Sequence, residues 1–263
     1  MQGESPILLL ASDVGLYEIG LDPDDTFVQI LVTPQQTRGF YAVAVTLDAL
    51  GARNVAVAAQ AGGGVWLSSE GGAPQTFRDT KTLASEDIRV LAIQRDDTRA
   101  WLWAGAAAAG SDDPGKGAWR WELRGSEDPA EGWVRFGSGW KAGSCWGLAF
   151  QDGTVYAATH HGGVARLDAR RADSAWTTPG INSGLPLRDP TQFLFEQLDT
   201  VAAGPGGLVL AGGDKGVFAS TDGEQYSSRS QTEFAETVAL PSTWLFVSGT
   251  HEITVVSEGD QQS

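Results

Sequence analysis

A glycine followed by an alternating apolar run recurs along this chain. It appears as GLYEIGLD from Gly15, GVWLSSEGG from Gly64, GAWRWELRGS from Gly117, GVARLDARR from Gly163 and GVFASTDGE from Gly216. The steps between these glycines are 49, 53, 46 and 53 residues, and a fainter sixth copy, HEITVVSEGD, opens at His251. A repeat of this period restricts the fold more than any local signal, because each copy is one supersecondary unit that must bury its faces against its neighbours.

The residues around each copy share a pattern. Before each glycine turn lies a short apolar strand: ILLLAS (7–12), NVAVAAQ (54–60), AWLWAGA (100–106), TVYAATH (154–160), LVLAGG (208–213) and WLFVSGT (244–250). Five of these follow another: GFYAVAV (39–45), IRVLAI (88–93), CWGLAF (145–150), DTVAAG (199–204) and ETVALP (236–241). Short aromatic runs follow several copies, at TFVQILV (26–32), WVRFGS (133–138) and AWTT (175–178). Runs of this length bounded by Gly, Asp and Pro read as strands, and no stretch sustains helical periodicity. Four strands in about fifty residues predict one β-propeller blade per repeat. The expected fold is therefore all-β, a single propeller over 1–257 with a polar tail at 258–263. Six four-stranded blades are counted, and the spacing also allows five or seven. The first repeat lacks its inner strand and the last its outer one. The ten tryptophans are expected as filler between blades, since each aromatic buries about 150–250 Å².

The turn after the glycine-led strand resembles the Asp-box, or bacterial neuraminidase repeat, of sialidases, sorting receptors and photosystem assembly factors. That motif reads roughly Ser-x-Asp-x-Gly-x-x-Trp. Its best copy here is Ser220-Thr221-Asp222-Gly223-Glu224-Gln225-Tyr226; a second, Ser68-Ser69-Glu70-Gly71-Gly72, has Glu for Asp and an insertion before Phe77. The resemblance implies a propeller whose Ser68, Glu70, Gly72, Ser220, Asp222 and Gly223 are structural. A short carboxylate accepts backbone N–H bonds at the turn, and glycine supplies positive φ. Such a latch implies a fold and not a function. A sialidase would need an arginine triad and a tyrosine–glutamate nucleophile pair. Of the four tyrosines, Tyr17 and Tyr156 lie in strand patterns and Tyr226 in the latch.

Charge narrows the partners. With 18 Lys and Arg against 33 Asp and Glu, the net charge is −15, whereas phosphate backbones are bound by clustered cations. Nucleic acid and anionic membranes are excluded as expected partners. The acid-rich, Lys-poor balance suits a protein kept soluble by surface carboxylates, in high salt or simply in an acidic mesophile. The lone Cys145, in SCWGLAF, reads as a buried thiol acting as a small hydrophobe. MQGESPILLLASDVG has no basic n-region and no run approaches a membrane span, which gives a cytoplasmic expectation.

Candidate chemistry sits in the loops. GSDDPGKG (110–117) begins like a phosphate-binding loop, but Gly117 stands where Ser or Thr is needed and no helix follows; it reads as a polar hairpin loop. His160, His161 and His251 all fall between the second and third strands of a repeat, the loops that rim one face of a propeller. The same loop holds Asp13, Gln60, Asp112, Asp113, Asp214 and Lys215 elsewhere. A ring of His and Asp has the chemistry to hold one divalent cation or to move protons, while polar residues at turns need no function. Arg170-Arg171 reads as a surface turn. The Pro-rich stretch 179–193, with Leu185 and Arg188, is the longest insertion and a candidate partner-binding loop.

The leading expectation is a non-enzymatic scaffold that binds a protein partner through Asp13, Gln60, Lys215, Leu185 and Arg188, with no cofactor. Two rivals stand beside it. One is a metal-dependent hydrolase or lactonase using His160, His161, His251 and Asp214 with one divalent cation. The other is a carbohydrate-binding or sialidase-like protein. The oligomeric state is left open.

Overall fold

The computed structural model describes residues 7–20, 24–33, 39–47, 52–96, 99–123, 132–171, 173–230, 235–239, 244–249 and 253–257, with backbone alone from residue 230 onward. The chain is all-β, and its helical content among the described residues is one 3-10 turn, Pro205–Gly207.

The strands follow the repeat. A first sheet holds β1 (Ile7–Ser12), β2 (Gly15–Gly20) and β3 (Val28–Ile30). The second has β4 (Phe40–Leu47), β5 (Arg53–Ala59), β6 (Val65–Ser68) and β7 (Arg78–Asp79). The third has β8 (Ile88–Arg95), β9 (Ala100–Ala106), β10 (Ala118–Leu123) and β11 (Val134–Phe136). The fourth has β12 (Cys145–Gln151), β13 (Thr154–Thr159) and β14 (Val164–Asp168). Between it and the next lies a two-stranded ribbon, β15 (Leu187–Asp189) and β16 (Leu194–Phe195). Then come β17 (Leu198–Ala203), β18 (Val209–Gly213), β19 (Gly216–Ser220) and β20 (Ser227–Ser230), and last β21 (Ala235–Ala239), β22 (Trp244–Gly249) and β23 (Ile253–Ser257). Spatial order follows chain order within every sheet, so each is a meander. The expected outer strand at 175–178 shrinks to a single bridge, Arg166 to Thr177. The insertion 179–193, expected as a loop, contributes β15, which pairs with β16 immediately after it. The tail 258–263 lies outside the described residues.

The chain divides into two compact units, Met1–Ala104 with Trp119–Val134, and Gly105–Ala118 with Arg135–Ser263. In the first, β4 packs against both β1 and β8; in the second, β17 packs against both β12 and β21. β4 beside β8, and β17 beside β12 and β21, put first strand against first strand, as a propeller-like stacking of sheets requires.

The second strands explain the core. RNVAVAA (β5), AWLWAGA (β9) and VLAGG (β18) are buried almost throughout. Strands covered on both faces read as continuous apolar runs with small residues, not as an alternation. In the first unit Leu16, Ile30 and Val32 interlock with Phe40, Val55, Val57 and Phe77. In the second, Tyr156, Val164, Leu185, Phe195, Val201, Phe218 and Tyr226 form one cluster. Trp103 is wholly buried and its indole N–H donates to Gln94 Oε1 at 2.8 Å. Trp140 and Trp176 meet edge to face at 5.0 Å, donating to the carbonyls of Gly143 and Phe136 at 2.9 and 2.8 Å. The tryptophans thus fill space and also satisfy backbone acceptors.

The first strand of four sheets carries the same irregularity. Register shifts fall between Phe40 and Ala42, Cys145 and Gly147, Leu198 and Thr200, and Ala235 and Thr237. Each is a bulge one residue after the first pair, a device that adds twist and re-aims side chains.

Two latch turns close the third strands. Ser220 Oγ donates to Asp222 Oδ1 at 2.8 Å and accepts from the N–H of Gly223 at 2.8 Å and of Asp222 at 3.3 Å. Asp222 Oδ1 also accepts from the N–H groups of Glu224 and Gln225 at 2.7 and 2.8 Å. These backbone donors, with the Ser220 hydroxyl, hold its carboxyl down to about 2. At the other turn Ser68 Oγ accepts from Glu70 and Gly72 N–H at 3.2 and 3.1 Å. Thr76 Oγ1 gives its proton to Ala73 O at 2.7 Å, so in its 2.6 Å contact with Ser68 it is the acceptor. Thr76 therefore does for Ser68 what Asp222 does for Ser220, and the carboxylate of Glu70 makes none of these bonds.

This division predicts a contrast. Ser68→Ala and Ser220→Ala each strand a buried glycine N–H and are expected to cost about 1–3 kcal/mol. Glu70→Ala is expected to stay within about 0.5 kcal/mol. Urea denaturation midpoints read both, and equal losses at Ser68 and Glu70 would overturn the assignment. The contribution of Asp222 is complete above its ordinary value of 3.8 and disappears as pH falls through about 2.

Candidate functional site

In the second unit the segment 137–144, which leads into β12, gathers loops from three places. Asp113 organises 109–115 by accepting from Ala109 N–H at 2.9 Å and Gly115 N–H at 2.7 Å, and these bonds hold its carboxyl below the ordinary range. That loop is tied down by Ala108 N–H to Ser144 Oγ at 2.9 Å and Gly143 N–H to Pro114 O at 3.0 Å. Asp113 of GSDDPGKG thus shapes a turn.

The His160–Gly163 turn meets the same segment. Thr159 Oγ1 donates to Gly163 O at 2.8 Å and accepts from Gly162 N–H at 2.9 Å, which fixes the turn. His160 N–H bonds Ser144 O at 3.0 Å and His161 N–H bonds Ala142 O at 3.2 Å. His161 is 8% exposed, and its Nε2 lies 3.2 Å from Lys141 O. A carbonyl only accepts, so Nε2 carries the proton and Nδ1 holds a lone pair. That Nδ1 is buried with no hydrogen-bond partner. Gly143 is at φ +75°, and a Cβ there would come within 2.8 Å of Nδ1 and Cε1, so only glycine lets the ring lie on the backbone.

Burial, helped by nearby positive charge, favours neutral imidazoles at the pair. The rings of His160 and His161 are 5.4 Å apart. Burial lowers both values, His160 adds to the lowering at His161, and the Arg188 charge lowers both; the bond to Lys141 O and the Asp112 charge oppose this at His161. Arg188 stands on β15, and Phe195 N–H on β16 bonds His161 O at 2.9 Å, so the ribbon belongs to the site. Beyond Arg188, Asp189 Oδ1 accepts from Thr191 N–H, Thr191 Oγ1 and Gln192 N–H at 2.8, 2.7 and 3.2 Å. The next residue, Phe193, sits at φ +57° and is 60% exposed.

The residues singled out from sequence separate into groups. His160 and His161 come together within reach of the Arg188 charge, and the Asp112 charge acts on His161. Asp13 and Gln60 meet in the first unit across Gly39: Gln60 N–H bonds Gly39 O at 3.0 Å, and Gly39 lies against the Asp13 backbone. Asp214, half-buried, and Lys215, exposed, make the tight turn between β18 and β19. His251 lies outside the described residues. Leu185 requires a correction: at 4% exposure it packs with Phe195, Phe218 and Tyr226, out of reach of any partner, because the ribbon folds its apolar side onto the core. Cys145 is buried and free, and burial pushes its thiol up. Among the described residues no three His, Cys, Asp or Glu groups are placed to hold a metal ion. Sequence reading missed Lys141, Gly143, Ser144 and Phe193. A glycine shortly before a first strand, as also at Gly39, was the available signal for Gly143.

No family model matches the chain, and no curated protein matches it in sequence. Solved structures do match in fold. PorZ, a surface component of the type-IX secretion system of Porphyromonas gingivalis, aligns over 97% of this chain and 38% of its own, with a TM-score of 0.64 at 12% identity. A gluconolactonase from Xanthomonas campestris aligns over 92% and 79% respectively, with a TM-score of 0.54 at 15% identity. BBS1N, solved in complex with ARL6DN, aligns over 97% and 76%, with a TM-score of 0.62 at 11% identity. The chain thus spans well under half of PorZ, and its β-propeller neighbours include both enzymes and non-enzymatic proteins. No helix among the described residues is long and apolar enough to cross a membrane.

The histidine pair predicts a pH dependence. Both folded values are lowered, so the neutral forms stabilise the fold. That stability is complete above the ordinary value of 6.5 and is lost as pH falls below it. Melting temperatures are expected to drop on acidification from neutrality, and His161→Gln to flatten that slope. An unchanged slope in the variant would count against the buried lone pair as its source.

Proposed function

We propose that this chain is a non-enzymatic propeller scaffold, six-bladed and closed at its third-strand turns by Asp-box latches, that holds a protein partner at the rim around β15 and β16. The observation that carries the reading is Phe193: a large apolar side chain held in solvent on a pinned turn. Apolar and cationic side chains side by side on a rigid loop suit protein recognition, where aromatics and arginine supply most of the affinity. Arg188 is the exposed cation of this ribbon, and Ile181, 41% exposed, adds apolar surface from the same insertion. The fold relative BBS1N, solved with ARL6DN, fits this use of a propeller.

A partner that closes over this ribbon would meet an acidic protein, net −15, at one of its basic points. The expected partner surface is therefore apolar with carboxylates at its edge.

The test is quantitative affinity purification from the source organism at physiological salt, followed by binary binding measurements. Wild type is expected to retain a partner that Phe193→Asp and Arg188→Glu each weaken by about tenfold or more, about 1.4 kcal/mol. A binding profile indifferent to both substitutions would end the proposal. Metal analysis of the purified protein separates the hydrolase alternative, since a stoichiometric divalent cation would favour a site built on His160 and His161.

A further inference from the structure

Among the described residues the first sheet has an unfilled place. Its β1 and β2 join through Gly15 as β5 and β6 join at Gly64, so β1 holds the position of β5, β13 and β18. Each of those is paired on both sides, while β1 pairs with β2 alone among the described residues. The other edge of β1 is where a first strand stands in the later sheets, and it presents a row of backbone N–H and C=O groups.

The neighbouring sheet registers the same gap. Val43 and Val45 pair across to Val57 and Val55, which face the first sheet, so they point the same way. By register Val43 corresponds to Val201 of β17, and each follows its bulge by the same step. Val201, with β12 packed beside its strand, is 6% exposed. Val43 is only half-buried, and Val45 and Leu47 beyond it are 45% and 47% exposed. On β1 itself Leu8 and Leu10 are 52% and 43% exposed. Between the two strands runs a groove of about 450 Å³ lined by Ile7, Leu8, Leu9, Val43, Val45 and Arg53. It prolongs the packing of β8 against β4 by one further strand position.

We propose that this groove is a strand-acceptor site, which takes an extended segment of a partner protein, about six residues of alternating apolar character ending in a carboxylate. The direction and the charge follow from geometry. First strands run antiparallel to second strands in the second, fourth and last two sheets. An antiparallel guest on β1 therefore ends beside Ile7, where Arg53 lies. Arg53 is bound there only loosely, 4.0 Å from Glu18, with both side chains over a third exposed, which leaves guanidinium donors for a guest carboxylate. Apolar guest residues on one face would cover Val43 and Val45. This site lies in the first unit and goes beyond the rim proposed above, so Phe193→Asp should leave it intact.

The experiment uses a fluorescein-labelled peptide, Ser-Thr-Val-Ala-Val-Ile-Asp, titrated with the whole chain and read by fluorescence anisotropy. Saturable one-to-one binding is expected. Val45→Asp and Leu8→Asp, both at exposed positions, are each expected to weaken it by about tenfold or more, and an amidated Ile-Asn ending by about threefold to tenfold. Circular dichroism checks that the variants stay folded. Hydrogen exchange on the free chain gives an independent reading: β1 amides on the open edge should exchange fast and become protected by the peptide. Absence of saturable binding, binding indifferent to both substitutions, or β1 amides already protected in the free chain would each overturn the proposal. So would a concentration-dependent dimer abolished by Val45→Asp, since a second copy would then be the occupant.

Discussion

The second strands β5, β9, β13 and β18 are buried on both faces, and most of the fold follows from that. A strand such as RNVAVAA, buried through its length, cannot form the surface of anything; it requires a sheet on each side. Within each unit such sheets pack side by side, β4 against β1 and β8 in the first, β17 against β12 and β21 in the second. The tryptophans then become necessary, because twisted sheets diverge away from their first strands and the widening wedge has to be filled. Indole N–H groups at Trp103, Trp140 and Trp176 find acceptors in the interior.

The repeat was legible because it combines two strong signals, glycine at the turn and apolar runs of fixed length. β1, β12 and β18 fall where those runs place them. What escaped notice depends on contacts between distant residues. Thr76 replacing a carboxylate as partner of Ser68 is invisible to a motif read residue by residue. Leu185 looked like loop and is core, since only the three-dimensional path of 179–195 folds it onto Phe195 and Tyr226. The ribbon of β15 and β16 is three residues against two, too short for any periodicity to register.

The candidate site shows the same limit. His160 and His161 stood out by residue type, and Arg188 by its place in a long insertion. Their proximity depends on Gly143, Ser144 and Lys141, whose contributions are backbone carbonyls and the space left by a missing Cβ. Backbone acceptors have no sequence signature, because every residue carries one. The signals that were read therefore mark which loops matter, while the geometry that joins them was written in residues of no obvious chemistry.

The recurring bulge at the start of β4, β12, β17 and β21 has a bearing on fidelity of assembly. Segments such as AVAV on VAVA, or VAA on VLAGG, are nearly self-similar under a two-residue slide. Such a slide keeps the same side chains on the same face, so hydrophobic patterning alone penalises it little. A bulge is a mark that cannot be slid past: one strand has a surplus residue at a fixed distance from the turn, and displacement would leave that residue opposed to regular backbone. The irregularity works as an indexing notch. It lets a chain built largely of alanine, valine and glycine hairpins find one alignment, and it frees the side chains of those strands to be chosen for packing rather than for register.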